Sequence, residues 1–206
     1  PGSYRPTFKI VALGQKVIHG TNIICSALPE LVALNESLGE TVNLKVFRGD
    51  HSVILLKLEP KIGQVRTHAY MGMSVPLYLS ATGKIFLAYR SEAFVREYWQ
   101  KIESQIEKRT PFTITELPIF LERLSFVREN GYALDLGENE YGFSCIAAPI
   151  FDYMGNVDHA VSITLQTARL QMNSIEIFAK PLLTTVKNIS QSLGYKVCDT
   201  KEHKEK

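Results

Sequence analysis

Cysteine is scarce in this 206-residue chain, and the three present, Cys25, Cys145 and Cys198, are scattered and form no Cys-x-x-Cys pair. So few thiols exclude a disulfide framework and predict reduced cysteines in a cytosolic protein. Long apolar runs are missing as well; none approaches the roughly 18 residues of a bilayer-spanning helix. The start, Pro1-Gly2-Ser3-Tyr4-Arg5, lacks the charged-then-apolar order of a secretory signal. Nor is there an excess of one charge. Lysine and arginine number 23 against 21 aspartates and glutamates, a formal net charge of +2. That balance argues against a dedicated nucleic-acid-binding domain, whose footprint is a strongly basic face. What remains is ordinary for a folded domain: 45% hydrophobic and 21% charged residues exclude wholesale disorder. The length suits one compact domain with or without an appendage. The expectation is a soluble, cytoplasmic protein with no membrane contact.

An initiator methionine is also absent, and the first acidic residue is Glu30, preceded by Arg5, Lys9 and Lys16. Two readings stay open for this start: an ordinary domain edge, or the trailing end of a missing upstream domain. The last residues, Lys201-Glu202-His203-Lys204-Glu205-Lys206, alternate in charge and read as a solvated tail.

Periodicity supplies the elements. From Asn22, apolar residues at Ile23, Ile24, Ala27, Leu28, Leu31, Val32 and Leu38 paint one helical face that stops near Gly39. Thr41 to Phe47 alternates polar and apolar, and with Ser52 to Leu58 predicts a hairpin. Residues 64–70 read as a third strand, followed by a Met71-Gly72-Met73-Ser74 loop. Helices are expected from Ser80, over Ser91 to Gln105, and from Thr115 to Asn130, where Gly131 is a stop signal. A strand at Tyr132–Leu136 precedes an acidic loop. A hairpin then joins Gly142–Phe151 to Val157–Leu165, and a last helix runs from Ser174 to Leu193. Runs of this order predict an α+β fold, an antiparallel sheet with helices segregated around it.

The chemistry-bearing residues point in several directions. A nucleophilic Cys145 needs a base in reach, and only His159, across the hairpin turn, offers itself. Yet strand parity groups His159 with Val157, Val161, Ile163 and Leu165, an apolar set. The histidines His19, His51, His68, His159 and His203 form no i,i+4 pair and no zinc-finger spacing. A cluster of Asp135, Glu138, Glu140 and Cys145 is a minor metal candidate only, so no metal and no cofactor is expected. Gly83-Lys84 resembles the end of a phosphate-binding loop, but Ile85 stands where Ser or Thr is required. Ser80, Thr82 and Gly83 can open a helix whose free N–H groups favour an anion, although a plain cap is the simpler explanation. Opposite the apolar face of Val157–Leu165 lie Asp158, Ala160, Ser162 and Thr164. The two hydroxyls suit a polar ligand, or a solvent-facing sheet.

Three stretches then carry a likeness. Val75-Pro76-Leu77-Tyr78-Leu79-Ser80-Ala81-Thr82-Gly83-Lys84, the run from Arg128-Glu129-Asn130-Gly131-Tyr132-Ala133-Leu134-Asp135 through Gly142-Phe143-Ser144-Cys145-Ile146-Ala147-Ala148-Pro149-Ile150, and Val161-Ser162-Ile163-Thr164 together resemble the IclR-type bacterial transcription regulators. The likeness extends from about Tyr4 to Tyr195. It implies a GAF-like effector-binding domain over residues 21–195, preceded over 1–20 by a remnant of a winged-helix wing strand and linker helix, and followed over 196–206 by the charged tail. It also implies a DNA-reading winged helix-turn-helix outside this chain, operator DNA as that part's partner, and a homodimer or tetramer. Within the family, Gly2–Arg5, Val11–Lys16, Lys57–Pro60 and Ile114–Pro118 look most like a repressor of a sugar-acid operon, that for diketogulonate, a plant-ascorbate breakdown product.

By motif position the effector site would use Gly72, Met73, Ser80, Ala81, Thr82, Gly83, Asp135, Cys145, Ser162 and Thr164, with no catalytic residue. A small carboxylate or sugar acid would suit this set. Tyr78 stands where many members have histidine, Thr164 where many have a second serine, and Met71 and Met73 flank the loop glycine. Two alternatives stay beside this reading: a cysteine-dependent enzyme using Cys145, and a purely structural dimerisation module.

Overall fold

The structure is a computed structural model that describes residues 22–61 and 68–196, with Thr7 and Lys9. The expected wing strand, linker helix and charged tail therefore lie outside the described residues, apart from Thr7, Lys9 and Lys196. Helix α1 (Asn22–Leu38) leads into strands β1 (Thr41–Arg48), β2 (His51–Leu58) and β3 (Ser74–Pro76). A 3-10 turn (Leu77–Leu79) precedes helices α2 (Ala81–Ala88), α3 (Glu92–Ile102) and α4 (Leu117–Asn130). Strands β4 (Ala133–Asp135), β5 (Phe143–Ile150) and β6 (His159–Gln166) follow, then helices α5 (Thr167–Gln171) and α6 (Glu176–Ser192). The strands form one antiparallel sheet in the order β3-β2-β1-β6-β5-β4. The predicted α+β architecture is what forms.

Alternation decides which residues go where. Val42 and Leu44 on β1, Ile146 and Ala148 on β5, and Val161, Ile163 and Leu165 on β6 share one face. They pack against Ile23, Ala27, Leu31 and Leu34 of α1 and Phe178, Leu182, Val186 and Ile189 of α6. The opposite face carries small residues, Ala133, Ala147 and Ala160, and takes α2, α3 and α4 through Ile85, Phe86, Trp99, Phe120 and Leu124. Small side chains let α2 come close. At its start α2 also abuts the preceding 3-10 turn: a Cβ at Gly83 would sit 1.9 Å from the Leu77 carbonyl oxygen.

Some expectations shift. The third strand is Ser74–Pro76; of residues 64–70, 64–67 lie outside the described residues and 68–70 are not strand. Ser74 consequently belongs to a strand and not to the loop. The helix expected over Ser91–Gln105 ends at Ile102 and tightens to 3-10 geometry at Glu103–Gln105. Helix α5 was not foreseen. Val157, expected on the face of Val161 and Ile163, packs instead in the α2–α4 core, because it precedes the first paired residue, His159, and strand parity does not bind it.

Candidate effector site

Half of the α2–α4 face of the sheet is polar. Register places Asp135 opposite Cys145, Cys145 opposite Thr164, Ser162 opposite Asn43, and Lys45 opposite Ala160. Directly opposed residues project to the same side, so these six polar side chains form a belt across β4, β5, β6 and β1. A bulge between Leu44 and Lys45 lets β2 skip Leu55 and set Ile54 opposite Lys45, completing the wall with an apolar side chain.

Over this belt lies a cavity of about 80 Å³, whose wall includes Asn43, Lys45, Met73, Asp135, Cys145 and Thr164. The rim segment Tyr70–Met73 is hooked onto β2: Gly72 N donates to the Ile54 carbonyl at 2.8 Å, and Ile54 N donates to the Met73 carbonyl at 3.1 Å. Gly72 adopts φ +88°, a conformation that glycine reaches without steric cost. Lys57 Nζ donates to the Ala69 carbonyl at 2.7 Å and ties the same segment down.

Hydrogen bonding inside the belt is incomplete. Asn43 Nδ2 donates to Thr164 Oγ1 at 3.3 Å, and Cys145 Sγ lies 3.3 Å from the same hydroxyl. Asp135 Oδ1 accepts from Glu138 N at 2.7 Å. Asn43 Oδ1 and Ser162 Oγ, both buried, have no partner among the described residues. Lys45 is only 8% exposed. Among the described residues its ammonium makes no hydrogen bond or ion pair; Asp135 and Cys145 are the groups whose field it feels. Glu138, by contrast, binds Lys84 Nζ at 2.5 Å, and that ammonium also donates to the Leu134 carbonyl at 2.7 Å.

Burial sets the electrostatics. It pushes the Asp135 carboxyl up to about 6, with Lys84 and Lys45 pulling the other way. It pushes the Cys145 thiol up to about 12, reinforced by the Asp135 charge. Burial also lowers the pKa of Lys45, against the opposing pull of Cys145 and Asp135. A thiol held this high is a neutral polar wall, not a thiolate nucleophile. His159 pairs with Ile150 at the far end of the strand from Cys145. No cluster of three metal-ligating side chains occurs among the described residues.

The motif-derived residues divide into two groups. Met73, Asp135, Cys145 and Thr164 meet on the cavity wall, and Ser162 is buried in the same belt with its hydroxyl free. Gly72 shapes the rim from an exposed position. Ser80, Ala81, Thr82 and Gly83 are not on the cavity wall. They are buried, with Ser80 Oγ accepting from Gly83 N at 3.0 Å and Thr82 Oγ1 3.3 Å from Ser52 Oγ. This helix start is closed by its own cap. Sequence reasoning missed Asn43 and Lys45, because polar residues alternating along β1 look like a solvent face. No signal in the sequence marked them, because their burial depends on β1 lying between β2 and β6 in the sheet.

A partly polar cavity seated on a helix-covered antiparallel sheet is an arrangement suited to holding a small molecule. Residues 15–191 match the family model of the bacterial transcriptional regulator IclR C-terminal domain, and the chain belongs to this family. It is 46% identical over 198 residues to the DNA-binding transcriptional repressor YiaJ of Escherichia coli, covering 96% of this chain and 70% of that protein. It is 32% identical to the transcriptional regulator KdgR of Dickeya chrysanthemi, over 93% of this chain and 62% of the relative. The crystal structure of Thermotoga maritima IclR superimposes with a TM-score of 0.82 at 34% identity, covering 93% of this chain and 76% of that one. The printed roles of these relatives are in transcription regulation. No helix among the described residues is long and apolar enough to cross a membrane.

Proposed function

We propose that this chain is the effector-sensing part of a cytoplasmic repressor that controls a sugar-acid catabolic operon. A small carboxylate metabolite binds over the polar belt and changes DNA binding by a winged helix-turn-helix joined to this domain. The observation that carries the reading is the belt itself, a buried set of donors and acceptors left partly unmatched. Burying polar groups without partners costs free energy, and a bound polar molecule returns that cost as affinity. The repressor sense is supported by the printed roles of YiaJ and of AllR from Salmonella typhimurium, the latter 33% identical over 184 residues. A ligand acts as a switch only through unequal affinity for two domain arrangements; a homodimer or a tetramer supplies such arrangements.

The diketogulonate assignment is the finer part of this reading, resting on the sequence likeness. On this likeness diketogulonate and its smaller breakdown fragments are the candidate effectors. Calorimetric titration with a series from diketogulonate down to three-carbon acids tests this. Saturable binding is expected for at least one member of the series and its loss in Asp135→Ala. No binding of any member, together with operator binding by the full-length repressor that ignores them all, would overturn it.

A further inference from the structure

We infer that Lys45 is the cation that takes the effector's carboxylate, and that the acceptors around it select a hydroxy acid over a keto acid or a neutral polyol. The inference rests on the sensing role proposed above and adds the chemistry of the ligand. Lys45 is more than nine-tenths buried, lines the cavity, and has no hydrogen bond or ion pair among the described residues. A buried ammonium has three N–H donors to satisfy, and the counter-charge that best meets them is a carboxylate brought in by the ligand. The second observation is independent of the lysine. Asn43 Oδ1, 2% exposed at the residue level, is an acceptor with no donor among the described residues. Asp135, ionised, can only accept, and one of its oxygens already takes the Glu138 amide.

Donors and acceptors must match one for one in a buried site. The free set on the cavity wall is then one ammonium, the Asn43 carbonyl oxygen and an Asp135 carboxylate oxygen, with the either-way hydroxyl of Ser162 buried in the same belt. Its complement is an anion at one end and O–H donors along the rest. A keto acid presents acceptors only, so it satisfies Lys45 and leaves Asn43 Oδ1 and Asp135 facing its oxygens. A polyol satisfies the acceptors and leaves the ammonium unpaired.

Three probes separate these terms on the 206-residue chain by calorimetry: D-glycerate, its neutral amide glyceramide, and the keto acid pyruvate. Wild type should bind glycerate more tightly than either of the others by at least about tenfold, the worth of one charge-assisted hydrogen bond. Lys45→Met should bring the glycerate and glyceramide affinities together, and Asn43→Leu should bring glycerate and pyruvate together. Circular dichroism on both variants shows whether they fold; if Lys45→Met does not, the three wild-type affinities decide the matter alone. Equal affinity of wild type for glycerate and glyceramide, or a Lys45→Met variant that keeps the preference, overturns the role of Lys45. Pyruvate bound as tightly as glycerate overturns the hydroxy-acid selection. If wild type binds none of the three but does bind a larger acid, the ligand class is wrong and the sensing role stands. If it binds no acid at all, the sensing role itself fails.

Discussion

Asp135 carries its charge at a cost. Its carboxyl titrates near 6 in the folded chain, with burial as the largest cause, whereas an unfolded aspartate titrates near 3.9. The folded state therefore holds a proton that the unfolded state has lost, and stability falls as pH rises from about 4 to about 6. Two pKa units correspond to about 3 kcal/mol. Asp135→Asn keeps the acceptor for the Glu138 amide and removes the buried charge. It should be more stable than wild type by about 1–3 kcal/mol at pH 7, equal to it below about pH 4, and impaired in binding acids through their hydroxyls. Urea denaturation at several pH values measures this, and a variant less stable at pH 7 would contradict it. Cys145 makes a second residue-scale case. With its thiol pushed up to about 12, it should react with iodoacetamide at neutral pH far more slowly than the exposed Cys25. Mass spectrometry of partially labelled protein reads the order directly, and preferential labelling of Cys145 would revive a nucleophilic role.

Helix α2 is held in place by two contacts of different kinds. Alanine in a helix interior usually outperforms glycine by about 0.5–1 kcal/mol. At position 83 the added methyl would meet the Leu77 carbonyl at 1.9 Å, and that carbonyl belongs to backbone that cannot swing aside. Gly83→Ala should therefore destabilise by about 3 kcal/mol, as overpacking does elsewhere, and thermal unfolding would show it; a raised melting temperature would refute the clash. The second contact is Lys84 with Glu138, 1% and 8% exposed along their side chains, which bolts α2 to the loop between β4 and β5. Lys84→Met strands a buried carboxylate and should cost about 3–5 kcal/mol. Adding Glu138→Gln should recover most of that, since the cost lies in the unpaired charge and not in the missing pair. The same two residues show what a sequence conceals. Gly83-Lys84 reads as a fragment of an anion-binding loop because glycine and lysine near a helix start serve that purpose in many proteins. Only the positions of Leu77 and Glu138, six and fifty-four residues away, reveal that one is a spacer and the other a bolt.

At the scale of the whole molecule, the legible part was whatever local periodicity encodes. The first and last helices, both hairpins and the split of β6 into an apolar and a polar side follow from spacing alone, and the order of runs was enough for an α+β sheet; that the polar side faces inward did not follow from spacing. Sheet order was not legible, and the site depended on it. Once β1 lies between β2 and β6, its polar residues Asn43 and Lys45 stop being surface and become wall. Linkage supplies a test that involves the entire fold. A ligand present at a hundred times its dissociation constant adds about 2.7 kcal/mol to stability. For a chain of this size that is a rise of roughly 5–10 °C in melting temperature. Differential scanning calorimetry with excess D-glycerate should show this rise in wild type and not in Lys45→Met. An unchanged wild-type transition at saturation would count against binding to the native state.

The belt draws on β4, β5, β6 and β1, with no strand giving more than two of its six polar side chains. None of those six side chains belongs to the buried cluster that packs under α1 and α6. On the proposed reading, exchanging one belt residue would alter which metabolite is bound and leave the core under α1 and α6 untouched.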